Sequence, residues 1–180
     1  MRIIAGAHKG RRLDPPTWDG LRPTSDKLRE TLFNVLAPRL SEARVLDGYA
    51  GTGAVGIEAI SRGAAHVTFV ERDRRACDLI ARNLAKCQIQ SGYAIISASV
   101  LQTIERLAGE PPFDVILFDP PYASDLQEAL QHVEEIVRPD GLVVLEHARR
   151  SPPPDAAGRL TRVRELRSGD SALTLYSCQP

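Results

Sequence analysis

Hydrophobic positions change their period several times along this chain, and each change marks an element. Arg2–Ala7 and Lys9–Leu13 are short apolar-polar runs about His8-Lys9-Gly10, the pattern of a hairpin. Asp14-Pro15-Pro16-Thr17-Trp18-Asp19-Gly20 reads as a loop from its density of breakers. Leu28, Leu32 and Val35 then recur at helical spacing, and Phe33 and Leu36 widen the stripe. Thr24 or Ser25 is placed to cap this helix, with Asp26 in its first turn and Pro38 at its end. From Ala43 onward two periods alternate. Ala43–Leu46, His66–Val70, Tyr93–Ser97, Phe113–Phe118 and Gly141–His147 are compact apolar runs that predict buried strands. Between them, Ala54–Arg62, Asp73–Cys87, Val100–Ala108 and Asp125–Val137 predict helices. Such alternation implies right-handed crossovers and a mostly parallel sheet with helices on both faces. The rigid Ser151-Pro152-Pro153-Pro154 segment precedes Leu160–Leu166 and Ala172–Ser177, which predict a closing hairpin and hence one antiparallel strand.

The chemistry collects where strands are predicted to end. Asp119-Pro120-Pro121-Tyr122 follows the strand Phe113–Phe118, at the carboxyl end where open α/β sheets place their ligands. The prolines stop the strand and stiffen the turn. A carboxylate, a proline carbonyl and an aromatic face are thereby fixed together. That set suits a planar amino group, whose two hydrogens the oxygens accept while the ring stacks on the attached base. An ordinary strand exit built of turn residues is the plainer reading of the same four residues.

Gly51-Thr52-Gly53-Ala54-Val55-Gly56 joins the first core strand to its helix, and Glu71 closes the next strand. The glycines permit close backbone approach, and a carboxylate at the position of Glu71 can accept both hydroxyls of a ribose. The same spacing satisfies the dinucleotide fingerprint of nicotinamide and flavin enzymes. Asp47 weighs against that rival, because an acid at the strand exit repels a pyrophosphate and suits an ammonium or sulfonium. A hydride-transfer site also has no need of the Asp119–Tyr122 turn.

Composition narrows the field further. With 180 residues the chain is long enough for one full core, and no apolar run approaches the roughly 18 residues that span a bilayer. The first six residues carry no signal-peptide pattern. Cys77, Cys87 and Cys178 and the four scattered histidines lack metal-ligand spacing, so no metal site is expected. Buried cysteines in a reducing cytoplasm are the matching expectation. The formal net charge is zero, which argues against indiscriminate nucleic-acid binding. Residues 1–44 nevertheless hold nine Lys and Arg against five Asp and Glu, a basic arm suited to local phosphate contacts or to plain solvation. Arg2, Lys9, Arg11, Arg12 and Arg22 are its candidate RNA contacts.

Together these pieces resemble a class I S-adenosylmethionine (SAM)-dependent methyltransferase acting on exocyclic amino groups. The match is closer to one bacterial family, which methylates guanine N2 in 16S ribosomal RNA. Arg22-Pro-Thr-Ser-Asp-Lys-Leu-Arg-Glu-Thr-Leu-Phe-Asn34 is its most specific part, joined by Ile3-Ile-Ala-Gly6, Gly10-Arg-Arg-Leu13, Gly56-Ile-Glu-Ala-Ile-Ser-Arg-Gly63 and Val67-Thr-Phe-Val-Glu71. The resemblance implies a Rossmann-like, mostly parallel seven-stranded sheet; with the hairpin read from the residues, the chain divides into an amino-terminal hairpin arm over residues 1–24 and a methyltransferase domain over 25–180. The resemblance also implies SAM as methyl donor, released as S-adenosylhomocysteine, and a guanine of the assembled or assembling 30S subunit as substrate. A monomer without membrane or metal partners is expected. Carried over residue by residue, Asp47, Tyr49, Gly51 and Gly53 line the SAM turn and Glu71 holds the ribose. Asp119 and Pro120 receive the amino group and Tyr122 stacks on the base. Two positions depart from the family pattern. Gly48-Tyr49 stands where a bulky apolar residue and an aromatic are expected, and the Ser97-Ala98-Ser99 turn lacks the acid many such enzymes use on adenine, which leaves Ser99 as the candidate contact. A DNA adenine-N6 methyltransferase and a non-catalytic SAM-binding RNA module are the alternatives.

Overall fold

Five parallel strands carry the molecule. The computed structural model describes residues 1–19, 26–120 and 130–179. Within them, β1 (Arg44–Gly48), β2 (His66–Glu71), β3 (Tyr93–Ser97), β4 (Phe113–Phe118) and β5 (Val137–Ala148) lie side by side and all run the same way. β6 (Ala156–Ala157), β7 (Leu160–Ser168) and β8 (Ser171–Cys178) extend the sheet in the order β3-β2-β1-β4-β5-β8-β7-β6. β8 is antiparallel to both β5 and β7. The expected seven strands are thus joined by the two-residue β6, which follows the proline segment and pairs antiparallel with β7.

Helices α1 (Asp26–Leu36), α2 (Ala54–Ser61) and α3 (Arg74–Lys86) cover one face, where Leu28, Phe33, Ile57 and Ile80 pack with Val45, Phe69, Val115 and Val144. On the other face, α4 (Val100–Leu107) and the turn at Val133 pack Val100, Ile104 and Val133 against Leu46, Ile116, Phe118 and Leu145. Strands buried on both faces read as continuous apolar runs, which is why the sequence located β1, β2 and β4 within about two residues; β3, the half-buried edge strand, was located by its short apolar run.

The structure alters two boundaries. The helix predicted over 125–137 falls partly outside the described residues; residues 130–132 are helical, Val133–Glu135 form a 3₁₀ turn, and β5 starts at Val137. β5 thus begins four residues before the expected Gly141. Phe113 pairs with Val137 but Val115 pairs with Leu142, so β5 bulges between them, with Asp140 at φ 62°. The predicted caps Thr24 and Ser25 lie outside the described residues.

The amino-terminal arm is a hairpin held mainly by loop hydrogen bonds, with Arg2 opposite Arg12 as its bridge. Ile3 N–H donates to the Arg11 carbonyl at 2.9 Å and Gly10 N–H to the Ile3 carbonyl at 2.9 Å. Its side chains Ile3 and Leu13 are buried in the core of the first face. Beneath them lies a polar anchor. The buried Glu58 of α2 accepts from Ile4 N–H (2.8 Å), Ala5 N–H (3.0 Å) and Arg62 Nε (2.7 Å). Arg29 of α1 is also fully buried and donates to the Arg2 carbonyl (2.7 Å) and Asp26 (2.9 Å). Burial lowers the Arg29 pKa, and the charges of Asp26 and Glu58 oppose that shift.

Candidate active site

Parallel pairing brings the carboxyl ends of β1, β2, β3 and β4 to one edge, and the chemistry-bearing turns lie along it. Asp47, the penultimate residue of β1, is buried at 4% exposure. Its Oδ2 accepts the Gly56 N–H of α2 at 2.8 Å. Burial pushes the Asp47 carboxyl up to about 8, the negative charges of Asp119 and Glu71 push the same way, and the Gly56 hydrogen bond opposes them.

The turn after β1 is tightly constrained. Gly51 and Gly53 adopt φ 55° and 76°, a region that costs an L side chain energy. Gly53 caps α2 in that conformation, so the helix start faces the turn. Ala50 N–H donates to the Val70 carbonyl at 3.0 Å and ties the turn to β2. Glu71, at the end of β2, accepts Gly51 N–H on Oε2 (3.0 Å) and Asp73 N–H on Oε1 (2.9 Å). Each of those oxygens retains a second lone pair for a ligand hydroxyl.

The Gly48-Tyr49 departure has a physical explanation. A Cβ on Gly48 would stand 2.6 Å from the Phe118 ring. The aromatic of the neighbouring strand therefore fills the space that a bulky residue at 48 would need. Tyr49 itself is left-handed at φ 64° and meets Phe118 edge-on, with ring centroids 6.0 Å apart. Strain of this kind in a bulky residue collects at functional sites.

β1 and β4 are direct neighbours, with Gly48 paired to Phe118. Asp119 and Pro120 therefore leave β4 beside the glycine turn. Asp119 is solvent-exposed, and its charge reaches Asp47. Tyr122 and Arg22 lie outside the described residues. Ser99 sits two residues beyond Ser97, which pairs with Glu71. Its Oγ accepts Gln102 N–H at 3.3 Å and caps α4, and Gln102 returns the contact to Ser99 N–H.

The structure brings Asp47, Tyr49, Gly51, Gly53, Glu71, Ser99, Asp119 and Pro120 to one edge and leaves the hairpin at the other. The Arg11 guanidinium donates to the Cys87 carbonyl and to Gln88 Oε1, at the end of α3 remote from the site. Arg2, Lys9 and Arg12 are exposed. α3 has 13 residues and so separates the two edges by about 20 Å. The loop after the hairpin climbs that distance. Asp14 and Lys86 form an ion pair near the bottom, and Trp18 lies against the Arg75 guanidinium, 5.1 Å from its ring centroid, near the top. Asn83 ties this loop to the glycine turn, donating to the Thr52 carbonyl (3.0 Å) and accepting Asp14 N–H (2.8 Å). A depression of about 400 Å³ lined by Leu130, Pro154 and Ala157 lies toward the β6 end of the sheet. None of its lining residues among the described residues is ionisable.

Sequence reasoning missed Glu58 and Arg29. The signal was present: Arg29, Leu32, Phe33 and Leu36 share one helical stripe, and Glu58 lies in a helix that is otherwise apolar or small on every side.

The donor set suits SAM: a buried acid fits a cation, a braced carboxylate can accept ribose hydroxyls, and left-handed glycines leave the helix start open to a ligand. A parallel sheet with this turn after β1, this acid after β2 and Asp-Pro after β4 defines a class I methyltransferase. The chain belongs to the family described as Conserved hypothetical protein 95, whose model matches residues 1–177. It is 38% identical over 156 residues to Ribosomal RNA small subunit methyltransferase D of Haemophilus influenzae, covering 84% of this chain and 81% of that protein. The Escherichia coli K12 protein of the same name is 36% identical, with 98% and 89% covered. Among solved structures, "Putative methyltransferase yhhF from Escherichia coli" superposes with a TM-score of 0.87 at 30% identity, covering 99% of this chain and 98% of that one.

Proposed function

We propose that this protein transfers a methyl group from SAM to the exocyclic N2 amino group of a guanine in 16S ribosomal RNA, within an assembled or assembling 30S subunit in the cytoplasm. The observation that carries the reading is the adjacency of β1 and β4, which sets the exposed Asp119 beside the glycine turn and within electrostatic reach of Asp47. The small-subunit rRNA methyltransferases among the relatives give the substrate class.

SAM supplies a methyl carbon made electrophilic by its sulfonium. Everything else falls to residues of this chain. Asp47 balances cationic charge at the turn, Glu71 holds hydroxyls, and Gly51 and Gly53 let the backbone come close. The guanine amino nitrogen is a weak nucleophile because its lone pair is delocalised into the ring. Asp119 and the Pro120 carbonyl each accept one of its hydrogens, which favours a pyramidal nitrogen with the lone pair turned away from the ring. Asp119 also stabilises the positive charge that grows on nitrogen. Tyr122 takes the stacking role that the family pattern gives it. A loop nucleotide can be splayed into such a site at low cost.

The test is a strain lacking the protein, complemented with wild type or Asp119→Ala, in which N2-methylguanines of 16S rRNA are mapped. One guanine should lose its methyl group in the deletion and regain it with wild type only. In vitro, Asp119→Ala should lower kcat by about two to three orders of magnitude while calorimetric SAM affinity stays within about threefold. Unchanged guanine methylation in the deletion, or near-normal turnover by Asp119→Ala, refutes the proposal.

A further inference from the structure

Several cations of the amino edge are engaged by the protein itself, while Arg2, Lys9 and Arg12 there stay exposed. At the amino edge, Arg11 binds the end of α3, Arg138 pairs with Asp114, and Arg39 donates to the Asp140 carbonyl. At the carboxyl edge, Arg149 and Arg150 follow β5, are exposed, and have no ion-pair partner among the described residues. They occupy the two corners of a β-turn closed by Ser151 N–H donating to the Ala148 carbonyl at 2.9 Å. The turn is braced on two sides. Arg149 N–H donates to the Asp170 carbonyl at 2.8 Å, which fastens it to the β7–β8 turn. Pro152, Pro153 and Pro154 fix the chain that leaves it.

Its position relative to Asp119 follows from the register. β5 neighbours β4, and Leu145 pairs with Phe118. Arg149 therefore stands one strand over and three residues beyond the level of Asp119's partner position. That is about 5 Å across and about 10 Å outward. On the far side of Asp119, Arg72 and Arg74 follow β2, two strands away, and are also exposed without an ion pair among the described residues. Acids share this edge. Asp73 is engaged by Arg75, Glu71 holds two backbone amides, and Asp170 stands beside the Arg149 turn.

We infer that the Ala148–Ser151 turn is a phosphate clamp, in which Arg149 and Arg150 receive backbone phosphates of the RNA strand next to the nucleotide presented to Asp119. The inference rests on the rRNA reading above and moves the principal electrostatic contact from the amino-terminal hairpin to the site edge. Guanidinium forks bind phosphate bidentately. Corner positions of a braced turn hold them with little ordering cost on binding. The exposed Arg106 in the last turn of α4, at the amino edge, provides an internal reference.

The test measures affinity for 30S particles isolated from a strain lacking the protein, over a range of KCl concentrations, with SAM affinity and methyl transfer to the 16S rRNA of those particles followed in parallel. Arg149→Ala/Arg150→Ala should weaken RNA binding at least about tenfold at 0.1 M salt and flatten the slope of log K against log salt by about 1.5 to 2. KM for RNA should rise while SAM affinity and melting temperature hold. Arg149→Lys/Arg150→Lys should restore most of the slope, and Arg106→Ala should leave it unchanged. A double-alanine variant with wild-type slope and KM overturns the clamp while leaving the methyl-transfer reading intact. An equal loss in Arg106→Ala overturns it too, by showing diffuse attraction. A wild type that methylates no rRNA overturns both.

Discussion

Asp47 and Glu58 are the two buried acids among the described residues, and they are held in opposite ways. Glu58 collects two backbone N–H groups and the Arg62 guanidinium, with the charge of Arg29 close by. Asp47 receives one backbone N–H from Gly56 and faces the charges of Asp119 and Glu71. A satisfied buried carboxylate holds structure together; an under-satisfied one, kept among like charges, stores a preference for a cation. The amino edge is therefore the anchor of this molecule and the carboxyl edge its instrument.

The contrast is broken most directly by removing each acid in turn. Glu58→Ala would leave the half-buried Arg62 without its ion-pair partner, remove a nearby counter-charge from buried Arg29, and strand the amides of Ile4 and Ala5. The expected cost is about 3 to 5 kcal/mol in urea unfolding, enough to detach the arm. Asp47→Asn should be neutral or stabilising from about pH 8 upward, where it relieves a buried charge, yet it should weaken SAM binding at least about tenfold. If Asp47→Asn destabilises the fold as much as Glu58→Ala does, the division into anchor and instrument fails.

This division also explains what could be read without coordinates. β1, β2 and β4 were legible because strands buried on both faces are apolar throughout, and the glycine turn because few residues tolerate its backbone. Asp119 was legible because prolines after a strand end leave few alternatives. The bulge near Asp140 and the two-residue β6 depend on pairing between segments far apart in sequence, which no local pattern encodes. Arg11 was read as a nucleic-acid contact on charge alone. Its guanidinium is committed to the end of α3, a partner 76 residues away. Glu58 and Arg62 look like a solvated i,i+4 pair until the apolar character of the whole helix is weighed.

The second test sharpens the contrast through pH. The folded pKa of Asp47 is about 8, against an ordinary 3.8. Folding therefore takes up a proton between these values, so the stability this group contributes is complete below about pH 4 and is lost as pH rises to about 8. Asp47→Asn has no such term. Its stability relative to wild type should grow across that window and level off above about pH 8, followed by denaturant unfolding at pH 5, 6.5, 8 and 9. A gap that stays constant with pH would mean that Asp47 is ionised throughout and already has an adequate counter-charge.

Ser99 provides the smallest and finest test, because one hydroxyl that caps α4 is also the proposed adenine contact. It accepts the Gln102 N–H and so caps α4. A hydroxyl also has one hydrogen to donate, and the place of Ser99 beyond the β3 residue paired with Glu71 suits an adenine ring nitrogen as its acceptor. Ser99→Ala removes both contacts. It should cost about 1 kcal/mol of stability through the lost cap and weaken SAM about fivefold through the lost donor. Ser99→Asp restores the cap, since aspartate is a good cap residue, but has no donor at neutral pH. It should recover the melting temperature without recovering contact to a ring nitrogen. Calorimetry of SAM binding separates the two roles: if Ser99→Ala binds SAM as wild type does, Ser99 is a cap alone and the adenine lies against other residues of the same edge.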